Sequence, residues 1–199
     1  TEGLSHLPRT QVFCFACNSA HLWYDTVVEA AGPRVKVLHM IRETAHGLYR
    51  DGIECVGLLA TPGTRATRLY ETTMEQTYNQ LNTAKVKGKR NPVNCSFVYP
   101  TDDEQRAIYD EGIVAIKAGA APGDVSKRLE PILERLIDEG AEKIILGCTE
   151  LPIVFSCYEQ QDSIHTDDTR SKYKAFLVDP MEELARAAIS EWHGFTSEC

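Results

Sequence analysis

The sequence lacks long apolar runs, an excess of basic residues and low-complexity tracts, and each absence excludes a class of protein. No run approaches the roughly 20 apolar residues that cross a bilayer, and the first residues do not resemble a signal peptide. Lys and Arg number 21 against 29 Asp and Glu, so the formal charge of −8 opposes a nucleic acid backbone. We therefore expect neither a membrane nor a nucleic acid as a partner.

Cysteine is the unusual part of an otherwise ordinary globular composition, with seven residues in 199. Their odd number and apolar surroundings favour reduced thiols in a cytoplasmic protein over a disulfide framework. The CxxC spacing of Cys14 and Cys17 suggests metal or dithiol chemistry, but no second CxxC or HxxxH accompanies it, and strand alternation predicts Cys14 as a core thiol. The cysteines without catalytic context are Cys55, Cys95, Cys157 and Cys199.

Short β-rich runs alternate with helical patterns along the chain. This alternation predicts an α/β fold with mostly parallel sheets flanked by helices. The predicted strands are Gln11–Ala16, Val35–Leu38, Cys55–Ala60, Cys95–Tyr99, Lys143–Gly147 and Ala175–Val178.

Two helices carry clear boundary patterns. Thr101 and Glu104 form a capping box before an amphipathic stretch that ends near Lys117. A second apolar face predicts a helix over Val125–Glu139, which Pro131 should kink or divide. Two polar stretches are predicted to be surface loops, Asn82–Asn94 and Tyr158–Lys174.

Cys17 and Cys148 stand in matching contexts, because FACNSAH and LGCTELP each place Cys at a strand-to-helix turn. Open α/β sheets bind ligands at this edge, and a helix dipole can lower a thiol pKa from about 8.5 to roughly 3.5–7.5. A thiolate there could act as a base. The residues that follow, Asn18-Ser19 and Thr149-Glu150, can cap the helix and bind an anion such as a carboxylate.

Two thiols in mirrored settings suit proton exchange at a carbon next to a carboxylate. One thiolate removes the α-proton from one face while the other residue, as a thiol, protonates the opposite face. A single turn of this kind is commonly just a small core cysteine, so the hypothesis depends on the pair. The chemistry that the pair predicts is inversion at the α-carbon.

Five sequence blocks occur in an order and spacing that are typical of one family. They are FACNSAH (Phe15–His21), LLATPGT (Leu58–Thr64), IKAG (Ile116–Gly119), ILGCTELP (Ile145–Pro152) and VDPMEELARAAI (Val178–Ile189). Together they resemble the aspartate/glutamate racemase family. Glu150 makes them more similar to aspartate racemases, since glutamate racemases usually have His there. The resemblance implies a racemase of aspartate or glutamate without pyridoxal phosphate or metal, and a homodimer.

The resemblance also implies roles for individual residues. Cys17 and Cys148 match the catalytic cysteines, and Lys117 matches a lysine that meets the distal carboxylate of an acidic substrate. Further substrate-binding positions are Asn18, Ser19, Thr61, Thr64 and Thr149, where Ser19 replaces the usual threonine. His21 and Glu150 are expected behind this layer, orienting the residues that touch the substrate.

The family pattern implies two pseudo-symmetric lobes with the active site between them. Residues 1–40 and 173–199 correspond to part of a first lobe, and residues 41–172 correspond to the second. The opening strand and glycine-rich loop of the family, with a following strand–helix unit that carries an arginine, have no counterpart here. We therefore expect a first lobe without its opening half, in a chain that is a piece of a longer protein.

Two other functions are compatible with the same residues. One is an isomerase or decarboxylase that uses a single cysteine on a dicarboxylic acid. The other is a binding protein for dicarboxylates without turnover. Both cysteines are present, which favours racemisation, because protonation with one stereochemical outcome needs only one donor.

Overall fold

The computed structural model describes residues 11–85, 93–156 and 172–197, and its strands form two sheets. The strands are β1 (Val12–Phe13), β2 (Lys36–Val37), β3 (Cys55–Ala60), β4 (Ser96–Val98), β5 (Lys143–Gly147) and β6 (Leu177–Val178). A two-stranded sheet pairs β1 with β2, and a four-stranded sheet has the order β4-β3-β5-β6. Every pairing is parallel, which confirms the predicted α/β class.

Helices connect these strands and cover the sheets. They are α1 (Tyr24–Ala31), α2 (Met40–Asp51), α3 (Pro62–Ala66), α4 (Leu69–Lys85), α5 (Asp102–Ala107), α6 (Ala115–Lys117), α7 (Pro122–Asp138), α8 (Leu151–Phe155) and α9 (Pro180–Ser197). A 3-10 helix (Ser19–Trp23) precedes α1, and a π-helix (Ile108–Val114) joins α5 to α6. None of the helices in the described ranges is both long and apolar enough to span a bilayer.

The two central strands, β3 and β5, have the predicted bounds. Their apolar runs are unbroken because helices cover both faces of the sheet. The outer strands are shorter than predicted, since each pairs on one side only. In particular, β1 ends before Cys14, which is exposed. The prediction of Cys14 as a core thiol is therefore wrong.

The larger sheet carries an apolar core on each face. On one side α7 contributes Leu129 and Leu133, both fully buried, to a cluster with α8 and the π-helix. On the other side α2 and α4 pack against β3, with Met74 and Tyr70 fully buried. Pro131 does not divide α7, which runs without interruption from Pro122 to Asp138.

The helical segment after β4 begins as predicted and then departs from α geometry. The capping box of Thr101 and Glu104 is present in both directions. Seven residues then form the π-helix before Lys117 ends α6. Gly112 faces α7 so closely that a Cβ there would lie 3.0 Å from Leu129 Cδ1, and glycine therefore permits this helix contact.

The last helix connects the two sheets. It contacts α2 and β1, and Leu184 is buried with Leu38 and Met40 beside the smaller sheet. The strand that precedes it, β6, pairs with β5 in the larger sheet. The division into lobes at 1–40 plus 173–199 and 41–172 stays a prediction. Of the two predicted loops, residues 86–92 and 157–171 lie outside the described residues, while residues 82–85 still belong to α4.

Candidate active site

The carboxyl ends of β3 and β5 form the topological switch point of the larger sheet. From β3 the chain crosses to β4 on one side, and from β5 it crosses to β6 on the other. Open α/β sheets bind ligands in the crevice at this point. Ala60 and Gly147 are register partners, so Thr61 and Cys148, which follow them, begin neighbouring loops at this edge.

Cys148, Glu150 and Lys117 form a connected chain of polar contacts at this edge. The Cys148 thiol donates a hydrogen bond to Oε2 of Glu150, with 2.9 Å between sulfur and oxygen. The other carboxylate oxygen, Oε1, lies 3.3 Å from Nζ of Lys117. Cys148 is buried, whereas the Lys117 side chain is 58% exposed. One carboxylate therefore contacts the thiol with one oxygen and a solvent-facing cation with the other.

This arrangement fixes the resting protonation of the pair. Burial, and then the hydrogen bond to Glu150, raise the pKa of Cys148 to about 12. Burial alone would raise the pKa of Glu150, but hydrogen bonds from Cys148 and from Lys117 outweigh it and lower the pKa. At neutral pH the proton lies on sulfur and the carboxylate is ionised. A helix dipole can lower a thiol pKa, but at Cys148 burial and the adjacent carboxylate outweigh the effect of the five-residue α8.

Three threonine hydroxyls lie around the same edge. Thr149 Oγ1 donates to Oε2 of Glu150 over 3.2 Å, so this carboxylate oxygen has two donors. Thr61 caps α3 by accepting the Thr64 N–H, and the two threonine hydroxyl oxygens are 3.0 Å apart. Thr64 is buried. These hydroxyls are uncharged hydrogen-bond donors at the same edge of the sheet as Cys148 and Glu150.

The turn after β1 holds the other predicted residues. The Cys17 thiol is exposed, and its sulfur lies 3.7 Å from the hydroxyl of Ser19. Asn18 is buried, and its side chain makes no capping hydrogen bond to the 3-10 helix that follows. The side chain of Glu150 likewise makes no capping hydrogen bond to α8. The prediction that these side chains cap their helices is wrong. Both residues have helical backbone angles, whereas a capping residue is normally extended.

Tyr70, which the sequence patterns did not single out, links this turn to the larger sheet. It lies on α4, fully buried, and its phenol donates to Oδ1 of Asn18. Burial, followed by the negative charge of Asp179, raises the pKa of Tyr70 well above the usual value, so Tyr70 remains a donor. It therefore hydrogen-bonds the neighbour of Cys17 and lies within electrostatic range of Cys148.

His21 fixes the backbone of the Cys17 turn. Its Nδ1 lies 2.9 Å from the Cys17 carbonyl oxygen, and its Nε2 accepts the Met40 N–H at 3.0 Å. Because a carbonyl only accepts and an amide N–H only donates, the ring is neutral with its hydrogen on Nδ1. Burial lowers its pKa in agreement. Both nitrogens bind backbone groups, which gives His21 a positioning role and leaves it no free nitrogen for proton relay.

The predicted site residues thus fall into three contacting groups. Lys117, Cys148, Thr149 and Glu150 form the first, Thr61 and Thr64 the second, and Cys17 with Asn18, Ser19 and His21 the third. The opposed placement of the two sulfurs stays a prediction. Asp179 accepts the Met181 N–H and so caps the start of α9. Across residues 11–85, 93–156 and 172–197, no three His, Cys, Asp or Glu side chains converge as a metal site.

Known structures share this fold. An aspartate racemase homologue from Pyrococcus horikoshii OT3 matches with a TM-score of 0.65 and 24% identity over 95% of this chain and 70% of its own. An aspartate racemase from Picrophilus torridus matches with a TM-score of 0.61 and 22% identity over 96% and 66%. A Francisella tularensis glutamate racemase, solved with D-glutamate, matches with a TM-score of 0.62 and 18% identity over 94% and 58%.

Sequence comparison gives the family directly. An uncharacterised protein from the pnlA 3′ region of Pectobacterium carotovorum subsp. carotovorum is 29% identical over 171 residues, which cover 86% of this chain and 93% of that protein. The model of the Asp/Glu/Hydantoin racemase family matches residues 4–188. Because this match covers nearly the whole sequence, the chain belongs to the Asp/Glu/Hydantoin racemase family.

Proposed function

We propose that this protein interconverts the L- and D-forms of an acidic amino acid, aspartate or glutamate, by proton transfer at the α-carbon between Cys17 and Cys148. The observation that carries the proposal is the hydrogen bond from the Cys148 thiol to Glu150 at the carboxyl edge of the central strands. A thiol beside an ionised carboxylate can give its proton to substrate, or pass it to the carboxylate and act as a base. Racemisation needs both abilities at one position.

The second thiol of the proposal is Cys17. It is exposed, and its backbone is fixed from two directions, since His21 binds its carbonyl and Tyr70 binds the side chain of Asn18. Catalytic groups held in a defined position lower the entropic cost of reaching the transition state. The rigid turn supports a role for Cys17 as the partner that acts on the opposite face of the substrate.

Substrate binding uses the polar groups around the two cysteines. The hydroxyls of Ser19, Thr61, Thr64 and Thr149 and the amide of Asn18 are suited to the α-carboxylate and the α-amino group. Lys117 supplies a cation at this edge, and its exposed ammonium group suits a second carboxylate on the substrate. This cation favours acidic substrates over alanine or serine. All groups named belong to the chain, and the proposed chemistry uses no cofactor.

The direct test compares the single variants Cys17→Ser and Cys148→Ser with the parent protein. Each protein is incubated with L- or D-aspartate, or with L- or D-glutamate, in deuterated water, and loss of the α-proton is followed by NMR. Each variant should lose racemisation by a factor on the order of 10² or more, because serine is a poor acid and base near neutral pH. Each should still exchange the one enantiomer whose α-hydrogen faces the surviving thiol. Racemisation at the parent rate by Cys17→Ser would rule out the two-base scheme.

A reaction that uses only one cysteine is the second candidate. It is favoured by the asymmetry of the two thiols, since Cys148 is buried beside a carboxylate while Cys17 is exposed and contacts only a hydroxyl at 3.7 Å among the contacts described. An isomerase or decarboxylase of a dicarboxylic acid would need Cys148 and tolerate Cys17→Ser. The same two variants, assayed with maleate and with malonate derivatives, separate the candidates.

The proposal also places the protein in a reducing compartment. The described cysteines are free thiols, and oxidation of Cys17 or Cys148 would remove a proton carrier from the reaction. We infer a cytoplasmic enzyme that works on a small amino acid, with a homodimer as its assembly. Analytical ultracentrifugation of the purified chain tests the assembly directly.

A further inference from the structure

The carbonyl at the end of β3 requires a hydrogen-bond donor from outside the sheet. Strand β4 pairs with residues 55–57 of β3, so Ala60 extends beyond the register of β4. Strand carbonyls alternate in direction, and the Glu54 carbonyl accepts the Ser96 N–H of β4, so the Ala60 carbonyl faces the side of β4 as well. Ala60 is fully buried, and a buried carbonyl without a donor destabilises the fold.

Gln105 on α5 supplies this donor. Its Nε2 lies 2.9 Å from the Ala60 carbonyl oxygen, and its Oε1 accepts a hydrogen bond from the Arg65 guanidinium at 2.9 Å. Because a carbonyl only accepts and a guanidinium only donates, the side chain between them has to do both. An amide meets this requirement, whereas an ionised glutamate could bind only Arg65 and a methionine could bind neither partner. The chemistry of its two partners therefore specifies glutamine at position 105.

The two partners of Gln105 flank the threonine pair of the candidate site. Ala60 directly precedes Thr61, and Arg65 directly follows Thr64. Within this Thr61–Thr64 turn, the Thr64 N–H donates to Oγ1 of Thr61 at 3.2 Å, and the Arg65 N–H donates to the Thr61 carbonyl at 3.1 Å. One side chain thus binds the residue before the turn and the residue after it, and the turn holds the two threonine hydroxyl oxygens 3.0 Å apart.

Both ends of this linkage are held by further contacts. The Gln105 N–H donates to the Thr101 carbonyl at 2.8 Å in the first turn of α5, beside the capping box. Arg65 also donates to the Pro100 carbonyl at 3.3 Å, and its guanidinium carbon lies 4.9 Å from the centre of the Tyr99 ring. A side chain whose own supports are fixed in this way transmits a defined position to the groups that it binds.

We propose that Gln105 is a positioning residue, which holds both ends of the Thr61–Thr64 turn and thereby sets where the two hydroxyls meet the substrate. The inference rests on the proposed function, in which these hydroxyls bind the α-carboxylate and the α-amino group. A substrate carbon between two thiols tolerates little displacement, since an error of about 1 Å can cost a factor of about 10² in rate. Gln105 acts through the turn and is not itself a ligand of the substrate.

A first experiment follows the turn without any turnover. Hydrogen exchange of the backbone amides in residues 61–67 is measured by mass spectrometry in the parent, Gln105→Met and Gln105→Glu. Gln105→Met removes both hydrogen bonds of the amide, so exchange in this segment should be about three- to tenfold faster, as expected for the net loss of one or two hydrogen bonds. Gln105→Glu loses only the bond to Ala60 and should show a smaller gain, which keeps the test decisive if the methionine variant does not fold.

Asn82→Leu is the matched control. Asn82 is also a bridging amide, since it accepts from the Tyr49 hydroxyl at 2.8 Å and donates to the Val93 carbonyl at 2.8 Å, but Val93 precedes β4 and lies at the opposite edge of the sheet. The variant should lower Tm by a similar amount and leave exchange in residues 61–67 at the parent rate. Equal gains in Asn82→Leu and Gln105→Met would show global destabilisation, and no gain in either Gln105 variant would exclude the linkage. Both results would overturn the inference, whether or not the protein racemises any amino acid.

A second experiment tests the effect on turnover. Gln105→Met should lower kcat/KM for α-proton exchange of aspartate or glutamate about 10- to 100-fold and raise KM about tenfold, because the displaced hydroxyls bind the substrate less well. A purely structural role lowers the fraction of folded protein and leaves KM unchanged, as Asn82→Leu should do. The parent KM in Gln105→Met would therefore reduce Gln105 to a structural residue and overturn the inference.

A double-mutant cycle with Thr64→Val connects the two residues directly. Valine keeps the shape of threonine and removes the hydroxyl that Gln105 positions. In this background Gln105→Met should lower kcat/KM by about threefold or less, because the effects of residues that act through one another do not add. Fully additive losses would overturn the inference. A parent protein that exchanges no amino acid at all would instead reject the proposed function, with the hydrogen-exchange result still standing.

Discussion

Tyr70 donates a hydrogen bond from α4 to the side-chain oxygen of Asn18, the residue next to Cys17. Both residues are buried, so neither side chain can replace this bond with one to water. Asn18 belongs to the turn that follows β1 of the smaller sheet, whereas Tyr70 packs against the larger sheet. The bond therefore couples the position of the Cys17 turn to the sheet that carries Cys148.

We predict that Tyr70→Phe lowers turnover more than it lowers stability. The variant leaves the Asn18 oxygen buried without its donor, at a cost of about 1–3 kcal/mol, or roughly 2–12 °C in Tm. Turnover should fall about tenfold or more, mainly in kcat, because Cys17 is less firmly positioned. Thermal unfolding and α-proton exchange measure the two effects.

Tyr78→Phe is the matched control for this prediction. Its hydroxyl donates to the Ile53 carbonyl at 3.2 Å and is also buried, but it lies eight residues further along α4, about 12 Å away. It should lose comparable stability and keep the parent kcat per folded molecule. If both variants lose kcat equally, Tyr70 has no specific role in positioning Cys17.

We predict that Glu150→Gln abolishes the reaction direction in which Cys148 acts as a base. Glutamine keeps the size of the side chain and can still accept the thiol hydrogen bond, but it cannot take the proton. Exchange of the enantiomer whose α-hydrogen faces Cys148 should fall by about 10²–10⁴, while the other enantiomer is affected less. The measurement is α-proton exchange of separate L- and D-substrates, and equal losses for both would contradict the assignment.

Glu150 also sets the acid limb of the parent pH profile. Its pKa in the free protein is lowered, so the carboxylate stays available to accept the thiol proton below the ordinary pKa of glutamate, and activity is lost as the pH falls through the lowered value. The acid limb of kcat/KM, which reports the free protein, should therefore lie on the acid side of that ordinary pKa. In Glu150→Gln this limb should disappear. An acid limb that persists unchanged in the variant would belong to another group.

The sequence predicts the central strands and both cysteine turns because those features are local. β3 and β5 are marked in the sequence by apolar runs, and their predicted bounds agree with the structure at both ends. The capping box at Thr101 is equally local, and it was also correct. Local patterns failed at the ends of the outer strands, where pairing on one side only decides how far each strand extends.

The contacts that define the candidate site are not local and could not be predicted in the same way. In the sequence, Tyr70 is indistinguishable from the other apolar positions of α4, and its hydrogen-bond partner Asn18 lies 52 residues away along the chain. The pairing of Lys117 with Glu150 depends on how the fold brings α6 close to the end of β5. A π-helix precedes α6, and the periodicity of the sequence does not predict that π-helix. The raised pKa of Cys148 is likewise a product of burial and of a neighbouring carboxylate.

We predict that Gly147→Ala disturbs the site through the backbone. A Cβ at Gly147 would lie 3.0 Å from the Leu59 carbonyl oxygen and 3.2 Å from the Ala60 Cβ, both fixed in the adjacent strand. Relief of these contacts moves the end of β5 and the following Cys148, at a cost of about 1–3 kcal/mol. Turnover should fall on the order of 10- to 100-fold, measured beside the Tm.

Gly123→Ala is the control for this substitution. Gly123 lies in the first turn of α7, where an added Cβ would meet nothing within 4 Å. It should raise stability by about 0.4–1 kcal/mol, since the unfolded chain loses freedom, and leave turnover unchanged. A Gly147→Ala variant that behaves like Gly123→Ala would show that β5 accommodates the extra methyl group without moving Cys148.

The last prediction concerns stability against pH and the start of α2. His39 accepts the Arg42 N–H with Nδ1 as the capping residue of this helix, and His21 accepts the Met40 N–H. Burial, and then unfavourable electrostatic interactions of the protonated ring with His21 and Arg42, lower the pKa of His39 to about 3. The folded protein therefore keeps this ring neutral where the unfolded chain, with a pKa of about 6.5, takes up a proton.

The sign of the effect follows from this difference in proton binding. Above pH 6.5 the full stability is present, and below it the free energy of unfolding falls by about 1.4 kcal/mol per pH unit for His39 until the pH approaches 3. His39→Asn retains an acceptor for the Arg42 N–H at a capping position and removes the titration. Urea unfolding at pH 7.5, 6.5 and 5.5 should thus give a steeper loss of stability in the parent than in His39→Asn, with the remaining slope shared by His21 and the carboxylates. Parallel slopes in the two proteins would mean that His39 is protonated in the folded state without cost, and that its nitrogen does not cap α2.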